Sequence, residues 1–167
     1  ILEIDEENLM CVVEPGVITG VLQEEVEKRG LYYPPDPASR AYCLIGGNIA
    51  ENSGGPHCVK YGLTKDWVLA LEAVTADGRP FRTGGKLRKD VAGYNLTQLL
   101  VGSEGTLAVV TEATLRLIPM RAPKQTLLAF FPTVEASGEA VAGKVRDGVQ
   151  PCTLELMDAF TIRAVNA

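Results

Sequence analysis

The chain has 167 residues and 17.9 kDa, with 46% hydrophobic and 22% charged residues, enough for one good core or about one and a half domains. A formal charge of −5 leaves no basic stripe to neutralise phosphates, which argues against a general nucleic-acid binder. The longest apolar runs, such as Val68 to Leu71 and Leu127 to Phe131, are far too short to span a bilayer.

In chain order, Ile1-Leu2-Glu3-Ile4 already alternates like the middle of a strand, and Glu3, Asp5, Glu6 and Glu7 stand where a signal peptide would be basic. Leu9 to Val13 predicts a strand closed by Pro15-Gly16. Val17, Ile18, Val21, Leu22 and Val26 recur at helical spacing, and Gly30 suits the C′ position of that helix. Leu31 to Pro37 should be irregular and extended, because each proline fixes its own φ and biases its predecessor away from the α region. Tyr42 to Ile45 reads as a brief strand delivering a glycine-rich loop. Trp67 to Ala76 and Arg79 to Thr83 read as a hairpin, with Asp77-Gly78 suiting a type I′ turn.

Asn95 to Leu100 predicts a short helix, and Leu107 to Ile118 a long Val/Thr/Leu-rich strand ended by Pro119. Arg121-Ala122-Pro123 reads as a linker. Beyond it, Gln125 to Phe131 (strand), Val134 to Val145 (helix) and Cys152 to Met157 (strand) suggest a β-α-β unit. Asp158 then caps a helix that runs on to Ala167. Starting in a strand and stopping in a helix, the chain reads as the centre of a longer polypeptide. Cys11, Cys43, Cys58 and Cys152 are scattered, so they read as reduced thiols of a cytoplasmic protein and not as a disulfide framework or metal site.

Two glycine-rich segments stand out: Ile45-Gly46-Gly47-Asn48-Ile49-Ala50-Glu51-Asn52-Ser53-Gly54-Gly55 and Gly102-Ser103-Glu104-Gly105-Thr106-Leu107. Glycine lets the backbone take positive φ and approach a ligand with no Cβ in the way, and successive N–H groups on such loops can cradle an anion. Neither segment is a dinucleotide G-x-G-x-x-G or a P-loop. Glycine pairs more often make plain turns than ligand sites. His57 is the sole histidine and carries no partner spacing for a triad, so no catalytic role is assigned to it. Cys58 reads as a packed thiol, Lys86, Arg88 and Lys89 as a solvated loop, and Glu104 either as an orienting carboxylate or as a loop cap.

Five motifs fall in register with short spacers: Pro34-Pro35-Asp36-Pro37-Ala38-Ser39, the first glycine segment, Tyr61-Gly62-Leu63-Thr64, Gly93-Tyr94-Asn95-Leu96 and the second glycine segment. In this order they resemble the FAD-dependent 2-hydroxy-acid dehydrogenases of the vanillyl-alcohol-oxidase superfamily, in the branch of glycolate oxidase and D-lactate dehydrogenase. The resemblance covers nearly the whole chain. It implies an α+β fold: residues 1–120 as the C-terminal part of a flavin-binding domain with a mixed or antiparallel sheet, and residues 121–167 as the start of an antiparallel-sheet substrate (cap) domain. It also implies FAD as cofactor, held by Pro34, Asp36, Ser39, Gly46, Gly47, Asn48, Asn52, Gly55, Gly105 and Val110.

The implied reaction is oxidation of glycolate or D-lactate to the 2-oxo acid by hydride transfer to FAD. The implied partners are redox subunits that could bring a cytoplasmic protein to the membrane periphery. The family's N-terminal glycine-rich loop and C-terminal histidine motif are absent, so catalytic residues are expected outside these 167, no metal ligand is expected within them, and the chain alone is expected to be inactive. Ala108 stands where the family has glycine, and its methyl is expected to crowd the cofactor. The alternatives are a non-catalytic subunit that keeps the flavin fold, or a relative acting on another alcohol.

Overall fold

The computed structural model describes residues 1–120 and 125–166. Its centre is a five-stranded sheet in the order β1-β2-β6-β4-β5, with every neighbouring pair antiparallel. The strands are β1 (Glu3–Asp5), β2 (Met10–Val13), β4 (Val68–Val74), β5 (Pro80–Gly84) and β6 (Val109–Arg116). A second ribbon pairs β3 (Leu31–Tyr32) with β7 (Ile118–Pro119). The helices are α1 (Thr19–Glu27), α2 (Ile45–Glu51), α3 (Cys58–Tyr61), α4 (Leu96–Leu100), α5 (Val134–Arg146) and α6 (Ala159–Val165). Helices combined with a wholly antiparallel main sheet give the expected α+β class. Among the described residues no helix is long and apolar enough to cross a membrane.

One apolar cluster joins sheet and helices. Cys11 and Val13 of β2, Leu71 and Ala73 of β4 and Ala113 and Leu115 of β6 meet Leu22 and Val26 of α1, Ile45 and Ile49 of α2 and Leu100 of α4. In α1 the buried positions Thr19, Leu22, Gln23 and Val26 recur at the three- and four-residue spacing of one helical face. Glu72 leaves β4 on the opposite side from Leu71 and Ala73, and its carboxylate takes the Arg82 guanidinium across the β4–β5 pair at 2.6 Å.

Local chemistry departs from expectation in several places. Tyr42 to Ile45 is not a strand: Tyr42 lies in a turn, Leu44 makes a single bridge with Ile18, and Ile45 begins α2. The hairpin is present, but its loop has three residues. Thr75 O accepts from Gly78 N, Thr75 N donates to Arg79 O, and Gly78 alone takes positive φ (82°), whereas a type I′ turn would need Asp77 there too. The long strand is interrupted after Arg116 and resumes as β7, which contains Pro119. The expected linker at 121–123 lies outside the described residues. Gln125 to Phe131 and Cys152 to Met157 are not strands. A strand exists only by pairing, and neither segment meets a sheet edge among the described residues, leaving Leu127 90% and Phe130 84% exposed. Their helices need no ladder and form as expected, α5 capped by Thr133 and α6 by Asp158.

Cys11 shows what this core does to an ionisable group. Burial pushes its thiol from the ordinary 9.0 up to about 12, and the wholly buried Tyr33 hydroxyl is raised by the same cause. A group raised on folding contributes its full stability below its unfolded value and loses it as pH climbs toward its folded value. The melting temperature should therefore fall as pH rises from about 9 toward about 12, and Cys11→Val should flatten part of that fall. An unchanged slope in the variant would show that other groups carry it.

Candidate cofactor-binding surface

The first glycine segment is a helix, not a loop. Gly46, Gly47 and Asn48 occupy the first turns of α2, and neither glycine has positive φ. The helix starts there because its leading N–H groups are satisfied from outside: Ile45 N donates to Val17 O at 2.9 Å and Gly46 N to Pro15 O at 2.8 Å. The three residues have different surroundings. A Cβ on Gly46 would sit 2.6 Å from Pro15 Cβ, so glycine there permits the helix to lie against the Pro15-Gly16 turn. A Cβ on Gly47 would meet nothing within 4 Å, and the residue is exposed. Asn48 is buried, and its amide donates to Thr19 Oγ1 at 2.7 Å, tying α2 to α1.

The second segment hangs from the far end of the same helix. Gly102 N donates to Ile49 O, which also accepts from Asn52 N, and Glu104 N donates to Ala50 O, both loop bonds at 2.9 Å, so the loop supplies donors to the last carbonyls of α2. Gly102, Glu104 and Gly105 all take positive φ, at 85°, 51° and 74°. Glu104 is thus a non-glycine residue in the left-handed region within a sharply folded loop. Gly105, like Gly47, has open space where a Cβ would lie. Asn52 closes α2 in the left-handed conformation (φ 53°), and its Oδ1 accepts from Lys65 N at 2.9 Å.

The proline loop lies on the other side of Gly55. Pro34 is buried, and the Gln23 amide holds the loop by donating to Tyr33 O and Pro35 O at 3.2 and 2.8 Å. Ser39 acts through its carbonyl, which accepts from Tyr42 N and Cys43 N at 2.9 Å and turns the chain toward α2. Asp36 Oδ2 is 2.8 Å from His57 Nδ1, and Asp36 Oδ1 accepts from His57 N at 3.0 Å. A Cβ on Gly55 would lie only 2.0 Å from Asp36 O, so glycine is what lets these two backbones touch. Val110 is half-buried on β6 opposite Ala73, and it lines a cleft with Glu14, Pro15, Gly16, Val17 and Thr111.

The structure thus brings Gly46, Gly47, Asn48 and Asn52 onto one short helix, with Gly105 in the loop that caps it and Asp36 against Gly55. Ala108 is buried at 7% exposure within the apolar cluster, so its methyl adds to the core. Lys86 of the basic loop pairs with Glu3. Cys58 Sγ accepts from Gly55 N at 2.9 Å, in keeping with a packed thiol. Among the described residues no cluster of histidine, cysteine or carboxylate side chains could hold a metal ion. The pairings Asp36–His57 and Thr19–Asn48 leave no trace in the linear pattern, since no local signal announces a partner so distant along the chain.

A large phosphorylated cofactor fits these residues. The surface offers uncharged backbone and bare glycines with open space at two points, the composition that admits a bulky ligand while a few polar groups orient it.

Comparison with known proteins points the same way. The family described as "FAD binding domain" matches residues 1–84, and "FAD linked oxidases, C-terminal domain" matches residues 120–167. The chain is 53% identical over 165 residues to the glycolate oxidase subunit GlcD of Bacillus subtilis, covering 99% of this chain and 35% of that protein. It is 43% identical to GlcD of Escherichia coli strain K12 (98% of this chain, 33% of that one). It is also 43% identical to a D-lactate dehydrogenase of Archaeoglobus fulgidus (94% and 35%). The chain therefore spans about a third of the length of these curated relatives. A solved alkyldihydroxyacetonephosphate synthase shares the fold, with a TM-score of 0.73 at 24% identity, over 92% of this chain and 27% of that one.

Proposed function

From the premise that this chain belongs to the FAD-binding-domain family of FAD-linked oxidoreductases, we propose that it forms the central part of the flavin site in a 2-hydroxy-acid dehydrogenase acting on glycolate or D-lactate. The observation that carries the reading is the construction of α2, which is anchored by Gly46 and Asn48 and bare at Gly47. The residues proposed to hold the cofactor are Pro34, Asp36, Ser39, Gly46, Gly47, Asn48, Asn52, Gly55, Gly105 and Val110. FAD, when bound, supplies a two-electron acceptor for the hydride on the α-carbon of the hydroxy acid.

This chain's own residues position and exclude. Gly47 and Gly105 leave room where a side chain would stand, and the Gly102–Glu104 hydrogen bonds fix the second loop to α2. Asn48 and Thr19 hold that helix to the rest of the core. No residue here is assigned the proton transfer. The division at residues 120 and 121, with a substrate-covering part beginning at 121, belongs to the same proposal and is supported by the separate C-terminal-domain match. A cytoplasmic location with redox partner subunits is proposed from the word "subunit" in the GlcD names. The names of the relatives at 53% and 43% identity, a glycolate oxidase subunit and a D-lactate dehydrogenase, support a hydroxy acid as the substrate.

The test uses the full-length protein. It should carry visible flavin absorbance that bleaches when glycolate or D-lactate is added without oxygen. Absence of flavin would overturn the cofactor reading. Flavin that resists both acids but bleaches with another alcohol would overturn the substrate assignment.

A further inference from the structure

The contact between Asp36 and His57 has a geometry that ordinary loop packing does not require. Both oxygens of one carboxylate engage one residue, Oδ2 the ring at 2.8 Å and Oδ1 the backbone N–H at 3.0 Å. The side chains are each about 11% exposed. A hydrogen bond to a carboxylate, which only accepts when ionised, requires the tautomer that carries a proton on His57 Nδ1, and the Tyr32 hydroxyl lies 3.1 Å from that same nitrogen. Tyr61 meets the imidazole edge-on with centroids 6.3 Å apart, and Tyr32 lies tilted at 6.5 Å, so the ring's orientation is constrained by aromatic neighbours as well. Beside this pair, Gly55 and Asp36 touch backbone to backbone.

We propose that His57 is a positioning residue, which clasps Asp36 through Nδ1 and so fixes the Pro34–Ser39 loop against the Gly54-Gly55 segment for cofactor binding. The proposal deepens the flavin reading and rests on it. It refines the part Asp36 plays among the residues proposed to hold the cofactor: its carboxylate, engaged by His57 through both oxygens, acts by shaping the loop and so reaches the cofactor through the loop backbone. A charge-assisted bond is about twice as strong as a neutral one, which suits a clasp between two segments with no regular pairing between them.

The geometry supplies its own control. An asparagine amide nitrogen falls near the position of Nδ1, whereas a glutamine amide falls near Nε2. In the full-length holoprotein, His57→Gln should weaken FAD binding by about tenfold, the low end for losing a hydrogen bond to a charged group, and His57→Asn should remain within about threefold of wild type. Asp36→Asn added to His57→Gln should cost little more, since the two act as a unit. Amide exchange at residue 57 in the apo-protein should quicken in the Gln variant and stay slow in the Asn variant.

Equal flavin affinity in the two variants, or additive losses in the double variant, would overturn the proposal. So would unchanged exchange at residue 57 in the Gln variant. Wild-type protein without flavin would defeat the flavin reading instead, and the exchange comparison would still decide whether the clasp exists.

Discussion

Gly55→Ala is expected to damage the apo-protein more than any other single methyl added to the glycine segments. The new Cβ would lie 2.0 Å from Asp36 O, 2.5 Å from its carbonyl carbon and 2.7 Å from Oδ1, so the obstacle is mostly backbone and cannot swing aside. Overpacking typically costs about 1–3 kcal/mol, and a clash with main chain belongs at the upper end. At roughly 2–4 °C per kcal/mol for a domain of this size, the apo melting temperature should drop by about 10 °C. Gly138→Ala is the control: it lies within α5 with nothing near its missing Cβ, and should be neutral or slightly stabilising. A Gly55→Ala protein melting alongside the control would show that the proline loop shifts freely, and would remove the close approach from the account.

Gly47→Ala should have the opposite effect on the empty protein and a severe one on the loaded one. Its backbone is helical and its Cβ direction is open, so alanine should stabilise the apo form by about 0.5–1 kcal/mol. Flavin content of the full-length protein should nevertheless fall, and fall further in Gly47→Val, because on the proposed reading the methyl groups enter the space the cofactor takes. Paired measurement of apo melting temperature and flavin-to-protein ratio checks this. Full occupancy in both variants would take Gly47 out of the site. Gly105 gives a less direct test: at φ 74° any side chain strains the loop before it meets a ligand. Gly46 is less direct as well, since its methyl would press on Pro15.

The behaviour of Gly46 and Gly47 also shows where the sequence was legible and where it was not. α1, α4, α5 and α6 were readable because their signals are local, such as the apolar spacing in α1 and the Asp158 cap of α6; the structure adds caps at Asn95 and Thr133 for α4 and α5. The turn at Asp77-Gly78 was readable as a hairpin, while its loop length depended on whether Asp77 would accept positive φ. Two adjacent glycines argued for a loop on intrinsic preference. They form helix because Pro15 and Val17, distant in sequence, supply acceptors for its first N–H groups. The segments 125–131 and 152–157 failed in the other direction, since their apolar residues describe a strand only where an edge exists to receive it.

The candidate site divides in the same way. The order of the motifs, which carries the family, could be read directly. Who holds whom within them could not, because His57 N and Asp36 are 21 positions apart and Asn48 and Thr19 are 29 apart. Nothing in a linear pattern distinguishes a buried asparagine that anchors a helix from one that faces a ligand.

The strand order β1-β2-β6-β4-β5 has a consequence for how the protein is made. Two hairpins, β1 with β2 and β4 with β5, join neighbours in sequence and can close as soon as each emerges from the ribosome. They have no pairing with each other. Only β6, where Arg116 faces Met10 on one side and Leu115 faces Val68 on the other, joins them. Pairing over so long a loop is entropically slow, and until Val109–Arg116 is synthesised β2 and β4 each present an apolar, unpaired edge. During that interval unpaired strand edges leave the nascent chain open to aggregation. A ribosome pause before β6 has left the exit tunnel would lengthen the interval, and one after it has emerged would not.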